Sequence, residues 1–309
     1  MKSAALLIVT LLLASLGSPR ALHAAEAAQA PAEIPMEPTS AQIEAVEKVL
    51  RTPPRDAGTS PTNQHVQELR GLGFDPLPAA RALLVNNWVA TEAARAMIAI
   101  DSVRGTTLIM ESIPGATLSA QVVGFVWFLD NQATLAGSVG QQAHAAASRV
   151  LARIESTSVA EMAIYTIGIV GSDRDFPVLE EFAAVRNPAG QGLRNASEAA
   201  LSRLGSAPHI ASLQAQLTEP LPEKPTYGQG LRLAGILRQA AFSGNRALIP
   251  AVCSHMSDPP IGDIDVRIDP QLLAANALRV LLEPVTPERP REAPRRSPEE
   301  WKAYCQALN

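Results

Sequence analysis

Between residues 62 and 284 apolar and alanine positions recur at spacings of three and four, and no strand-like alternation persists. The spacing predicts helices over Gln64 to Leu72, Pro78 to Asn86, Ala90 to Ile100, Thr106 to Ser112, Leu118 to Asp130 and Gly140 to Ile154. It continues over Val159 to Val170, Asp175 to Val185, Leu193 to Leu204, Ile210 to Leu217, Gly230 to Ala241, Arg246 to Met256 and Pro270 to Leu282. Glycine, proline and asparagine punctuate the gaps, as at Gly73, Pro114-Gly115, Gly171, Asn187-Pro188, Gly205 and Gly244. Short breaks between amphipathic helices belong to stacked helical hairpins. Before this region, Ser40 reads as the cap of a helix from Ala41 to Arg51; after it, Ser297 reads as the cap of one from Pro298 to Leu308.

The hairpins repeat. Every second helix ends near Gly73, Asp101, Asp130, Gly171, Gly205, Gly244 and Leu282, and the later intervals approach a 40-residue period. Inner helices share a basic residue, alanines and a leucine before the turn: Arg194 with Ala196, Ala199 and Leu201; Arg232 with Ala234 and Leu237; Ala274, Ala277 and Leu278 with Arg279. On these residues the chain resembles the HEAT-repeat family, across about 139–284 and in weaker form across 62–138. The resemblance implies an all-α fold, a right-handed α-solenoid of about six hairpin repeats, whose small residues let helices approach closely. It also implies a protein-binding scaffold and not an enzyme. A structural subunit of a cell-envelope complex and a HEAT-like lyase are the alternatives.

The flanks divide the chain further. Lys2 precedes an apolar run from Ala4 to Leu16, of signal-peptide length and too short for a membrane span. Ala25-Glu26-Ala27 or His23-Ala24-Ala25 supplies the cleavage pattern. The reading is a signal peptide over 1–25, a Pro-rich linker with one short helix over 26–61, the solenoid over 62–284, and a Pro/Arg-rich tail over 285–309. Arginine greatly outnumbers lysine, which is confined to Lys2, Lys48, Lys224 and Lys302. With the abundant alanine, this composition fits a bacterial protein that is periplasmic or secreted. In such a compartment Cys253 and Cys305 either form a disulfide that ties the tail to the last repeats or remain as two thiols.

Charge and motif content narrow the chemistry. The net charge is −4, and −6 without the leader, which disfavours nucleic acid. No H-E-x-x-H, G-x-S-x-G, S-x-x-K or P-loop pattern occurs, so no catalytic residues and no cofactor are assigned. Gly228-Gln229-Gly230 reads as a helix-start turn. Cys253 and His255 are two apart on a helix and face different sides, so no metal site is assigned. Asp258, Asp263, Asp265 and Asp269 lack the EF-hand spacing, and Asp269 before Pro270 suits a helix cap. Trp88, Phe125, Trp127 and Phe128 read as core. Arg95, Arg194, Arg232 and Arg279 are the candidate partner-binding residues, a row able to grip another protein with an acidic surface; local pairing with neighbouring acids is the competing role. No membrane contact is expected beyond the leader, and the oligomeric state is open.

Overall fold

The computed structural model describes residues 37–53, 61–262, 267–283 and 296–308. The leader, half of the N-terminal linker, the segment 284–295, Asp263 and Asp265 lie outside the described residues. The fold is all-α. Among the described residues there are fifteen α-helices and no strand, only one isolated bridge between Ile261 and Ile268. None of these helices is long and apolar enough to cross a membrane.

The described residues form two compact units. The first comprises residues 37–128 and 137–163, the second residues 129–136 and 164–308. The helices are α1 (Ser40–Arg51), α2 (Pro61–Arg70), α3 (Leu77–Ala82), α4 (Ala90–Ile100), α5 (Ser102–Ser112), α6 (Leu118–Asp130), α7 (Gln132–Ala152) and α8 (Thr157–Val170). There follow α9 (Phe176–Ala183), α10 (Gln191–Arg203), α11 (Ala207–Thr218), α12 (Tyr227–Ser243), α13 (Ile249–Cys253), α14 (Pro270–Leu282) and α15 (Pro298–Gln306).

Each predicted helix is present, and the local chemistry explains where boundaries moved. Thr39, not Ser40, caps α1, because its hydroxyl accepts from the Gln42 amide while the Gln42 side chain returns to Thr39. Thr226 and Gln229 form the same box at α12, so Gly228 and Gly230 lie inside its first turn. Asp101 caps α5 and draws its start back to Ser102. Asp269 caps α14, and Ser297 with Glu300 boxes α15. The largest extension is α7, which begins eight residues before the expected Gly140. Gly73, Gly205 and Gly244 adopt the left-handed conformation at turns, which an L side chain resists.

Packing follows chain order within each unit. In the first, α4 lies against α2, α3 and α5, and α1 lies against α2 and α3. In the second, α10 packs on α12 and α12 on α14, while α9, α11 and α13 return beside them. The cores are aliphatic and alanine-rich. Ala93, Ala94, Ala96 and Met97 of α4 are fully buried in the first unit, as are Ala199, Ala200 and Leu201 of α10 in the second.

Close approach between helices depends on small residues. A Cβ on Gly105 would sit 2.3 Å from the Met97 carbonyl oxygen and 2.5 Å from its carbon. Backbone cannot yield as a flexible side chain does. Alanine at 105 gains about 1 kcal/mol of helix propensity but incurs overpacking of about 3 kcal/mol. Gly105→Ala is therefore expected to destabilise by about 2 kcal/mol in urea denaturation. Gly137, in α7, faces open space; Gly137→Ala is expected to stabilise by about 1 kcal/mol. Equal effects at the two sites would refute the packing argument.

Candidate functional site

The first unit carries a groove of about 460 Å³. Pro38 and Ile43 form one wall, at the start of α1. Pro78, Ala82, Leu84 and Val85 form the floor, from α3 and the 3₁₀ turn that follows it. Ser112 at the end of α5 and Gly115 close the far side. The turn exists because Asn86 ends the helical run in an extended conformation. The Leu84 carbonyl accepts from the Thr117 backbone amide at 2.9 Å and ties this edge to the start of α6.

Two charged residues line the groove, Glu37 and Arg81. Arg81 Nε donates to Ser112 Oγ at 2.9 Å, which fixes the guanidinium beside the apolar floor. Its other end reaches Glu111 at only 3.5 Å, and both side chains are about 40% exposed. Such a pair contributes less than about 1 kcal/mol, so Arg81 remains open to a better acidic partner.

Trp88 lies three residues beyond Val85. It is 85% exposed, and Val85 is 62% exposed. This overturns the expectation that Trp88 is core; Phe125 and Phe128 are fully buried and Trp127 is partly so. The reason is local. Asn86 Oδ1 accepts from the Trp88 amide at 3.0 Å and makes a turn, so Trp88 lies on no helix and follows no helical face. Asn86 Nδ2 also donates to Glu47 Oε1 of α1 at 3.1 Å, which anchors the turn. The asparagine pair before Trp88 was the available signal, and the apolar neighbours obscured it.

Of the four arginines expected at a binding face, Arg95 and Arg232 form local ion pairs. Arg95 is exposed and pairs with Glu92 on the same helix at 3.2 Å. Arg232 pairs with Glu219 at 2.9 Å, both more than half exposed. Arg194 is partly buried near Glu198, and Arg279 is partly buried on α14. Arg95 belongs to the first unit and the other three to the second. None of the four lines the groove.

Carboxylates with raised pKa lie elsewhere. Burial raises the Glu198 carboxyl, against the lowering influence of Arg194, His209 and Arg186. Burial alone raises Glu161. Because the charged form of Glu161 is disfavoured in the folded state, its contribution improves as pH falls through the folded pKa. Glu161→Gln is expected to stabilise the protein at neutral pH and to flatten the pH dependence of the unfolding midpoint between neutral and mildly acid conditions. A lower midpoint for Glu161→Gln would contradict this.

Ser206 Oγ and His209 Nδ1 are 2.8 Å apart across the first turn of α11, and Ser206 is buried, so the contact serves the helix start. Among the described residues no group of three His, Cys, Asp or Glu is placed to hold a metal. Asp258 is held by His255 at 2.6 Å, and Asp269 caps α14. Cys253 and Cys305 are joined by a disulfide with Cα atoms 5.4 Å apart.

No family model, curated protein or solved structure matches the chain.

Proposed function

We propose that the chain is an exported helical-repeat scaffold of HEAT type, with no chemistry of its own, that docks another protein through the groove beside Trp88. The partner segment presents an apolar side chain to the floor formed by Leu84 and Val85 and a carboxylate to Arg81. The periplasm or the medium is its place of action, after removal of residues 1–25. The repeat spacing carries the reading of a right-handed solenoid of about six hairpins, and the helix-to-next-but-one contacts within each unit are those of stacked hairpins.

The observation that carries this reading is an apolar groove holding a positioned arginine, with a large aromatic side chain left 85% exposed three residues along the chain from its Val85 edge. Exposed apolar patches rimmed by polar groups mark interaction sites. Tryptophan and arginine are the residues most enriched among interface hot spots. Low net charge and low aromatic content elsewhere focus attention on this one edge.

The test is affinity with the partner recovered from periplasmic extract. Trp88→Ala is expected to weaken binding by about 2 kcal/mol, some thirtyfold. Arg81→Glu is expected to weaken it at least as much, because it places like charges together. Arg232→Ala is expected to leave it unchanged. Binding that is insensitive to Trp88 and Arg81 but lost in Arg232→Ala would move the interface to the arginine helices and overturn the groove assignment.

A further inference from the structure

We propose that Arg203 and Gln132 form a binding site for a small monovalent anion of chloride size within the second unit. Arg203 closes α10. Its Nη1 donates to the Phe242 carbonyl at the end of α12, at 2.7 Å. Its Nη2 donates to Gln132 Oε1 at the start of α7, at 3.2 Å. The guanidinium carbon lies 5.1 Å from the centre of the Phe242 ring. That ring meets Tyr165 edge-on at 4.7 Å, and Gly168 and Ala200 pack closely beside it.

The charge in this cluster is not matched. Part of the Arg203 side chain reaches the surface, while its guanidinium end lies in apolar surroundings that push its pKa down to about 10, leaving it charged at neutral pH. Both of its hydrogen-bond acceptors are neutral, and among the described residues no carboxylate reaches ion-pair distance. Buried charges are normally paired, because solvation lost to the interior must be replaced. The Phe242 carbonyl at the negative end of the α12 dipole offsets part of the guanidinium charge, but neither of these two partners carries a full negative charge.

Gln132 points to what completes the site. Arginine only donates, so the glutamine oxygen must face it and the amide nitrogen must face away. That Nε2 is buried and has no hydrogen-bond partner, in a residue only 4% exposed. It lies one amide width from the oxygen that Arg203 holds. A single small anion beside the pair accepts from Nε2 and from the remaining guanidinium hydrogens, and cancels the buried charge. A bridging water would satisfy Nε2 equally well but would leave the charge uncompensated, and this difference is testable.

The decisive variant is Gln132→Glu, which keeps the shape and supplies a permanent carboxylate. Thermal unfolding is followed at neutral pH in sodium chloride and in sodium gluconate of equal ionic strength, since gluconate is too bulky for the site. The native protein is expected to show a saturable rise of about 3 °C specific to chloride. Gln132→Glu is expected to unfold higher than the native protein in gluconate and to lose the chloride-specific rise. Gln132→Leu, if folded by circular dichroism, is expected to lose that rise without the gain. A bromide-soaked crystal is expected to show an anomalous peak within hydrogen-bond reach of Gln132 Nε2. Equal midpoints of the native protein in the two salts, or a Gln132→Glu variant less stable than the native protein in gluconate, would overturn the proposal.

Discussion

Replacing Cys305 by serine is expected to lower the unfolding free energy by about 4 kcal/mol. The bridge to Cys253 spans 52 residues, and in the chain-entropy account a loop of that length restricts the unfolded state by this amount. The folded side of the balance also matters. Trp301 of α15 is only 1% exposed, and the Arg296 guanidinium stacks over it at 4.8 Å while pairing with Glu283 at 3.2 Å. The Glu283 side chain is 7% exposed and Arg296 45% exposed, so solvent screens this pair in part. The tail helix is therefore held by packing as well as by the bridge, and the reduced protein is expected to keep α15 docked. Urea denaturation of oxidised protein, reduced protein and Cys305→Ser checks both points. A loss below about 1 kcal/mol would show that the bridge does little to restrict the unfolded chain.

Removing the His255 ring is expected to cost about 3 kcal/mol. His255 Nδ1 lies 2.6 Å from Asp258 Oδ2, and Nε2 lies 2.8 Å from the Leu217 carbonyl. Both partners offer acceptor oxygens to the ring nitrogens. The side chain is 5% exposed and joins the turn after α13 to the end of α11. His255→Leu fills the space but leaves a carboxylate and a buried carbonyl without their donor. Asp258 is about one quarter exposed and recovers some hydration, which keeps the loss near the lower end of values for broken buried pairs. The double variant His255→Leu/Asp258→Leu is expected to recover part of the loss. A single variant as stable as the native protein would show that the bridge between α11 and α13 is dispensable.

The helices were legible because their signals are local. Apolar spacing gave α4, α6 and α14 to the residue, since Asp101, Asp130 and Leu282 sit where the periodicity stops. Caps were legible where a proline follows the capping residue, as at Asp269 and Ser297. Thr39 was missed because Ser40 is an equally good cap, and only the reciprocal bond from Gln42 decides between them. The candidate site was largely illegible. Arg95 and Arg232 have the chemistry of a docking residue and only exposed, weak pairs with nearby acids; what separates them from Arg81 is place, since neither lines the groove. Arg81 carries no stronger sequence signal than they do; its significance comes from Ser112, 31 residues on, which turns it along the groove. Trp88 looked like core because the residues around it are apolar, and the Asn86 turn takes it off any helix and leaves it in water. The Arg203 cluster joins residues 71 and 39 positions apart, beyond the reach of any local pattern.

The central claim is that a partner protein occupies the groove beside Trp88. Photo-crosslinking tests it most directly, with a photoreactive phenylalanine placed at Val85 and, as a control, at Leu231, an exposed apolar position of the second unit. Irradiation in the periplasm of expressing cells is expected to give one discrete adduct from position 85 that vanishes when Arg81 is changed to Glu, with the crosslinked partner peptide carrying an acidic residue near its apolar anchor. No adduct from position 85, or the same adduct from position 231 and undiminished by Arg81→Glu, would contradict the account.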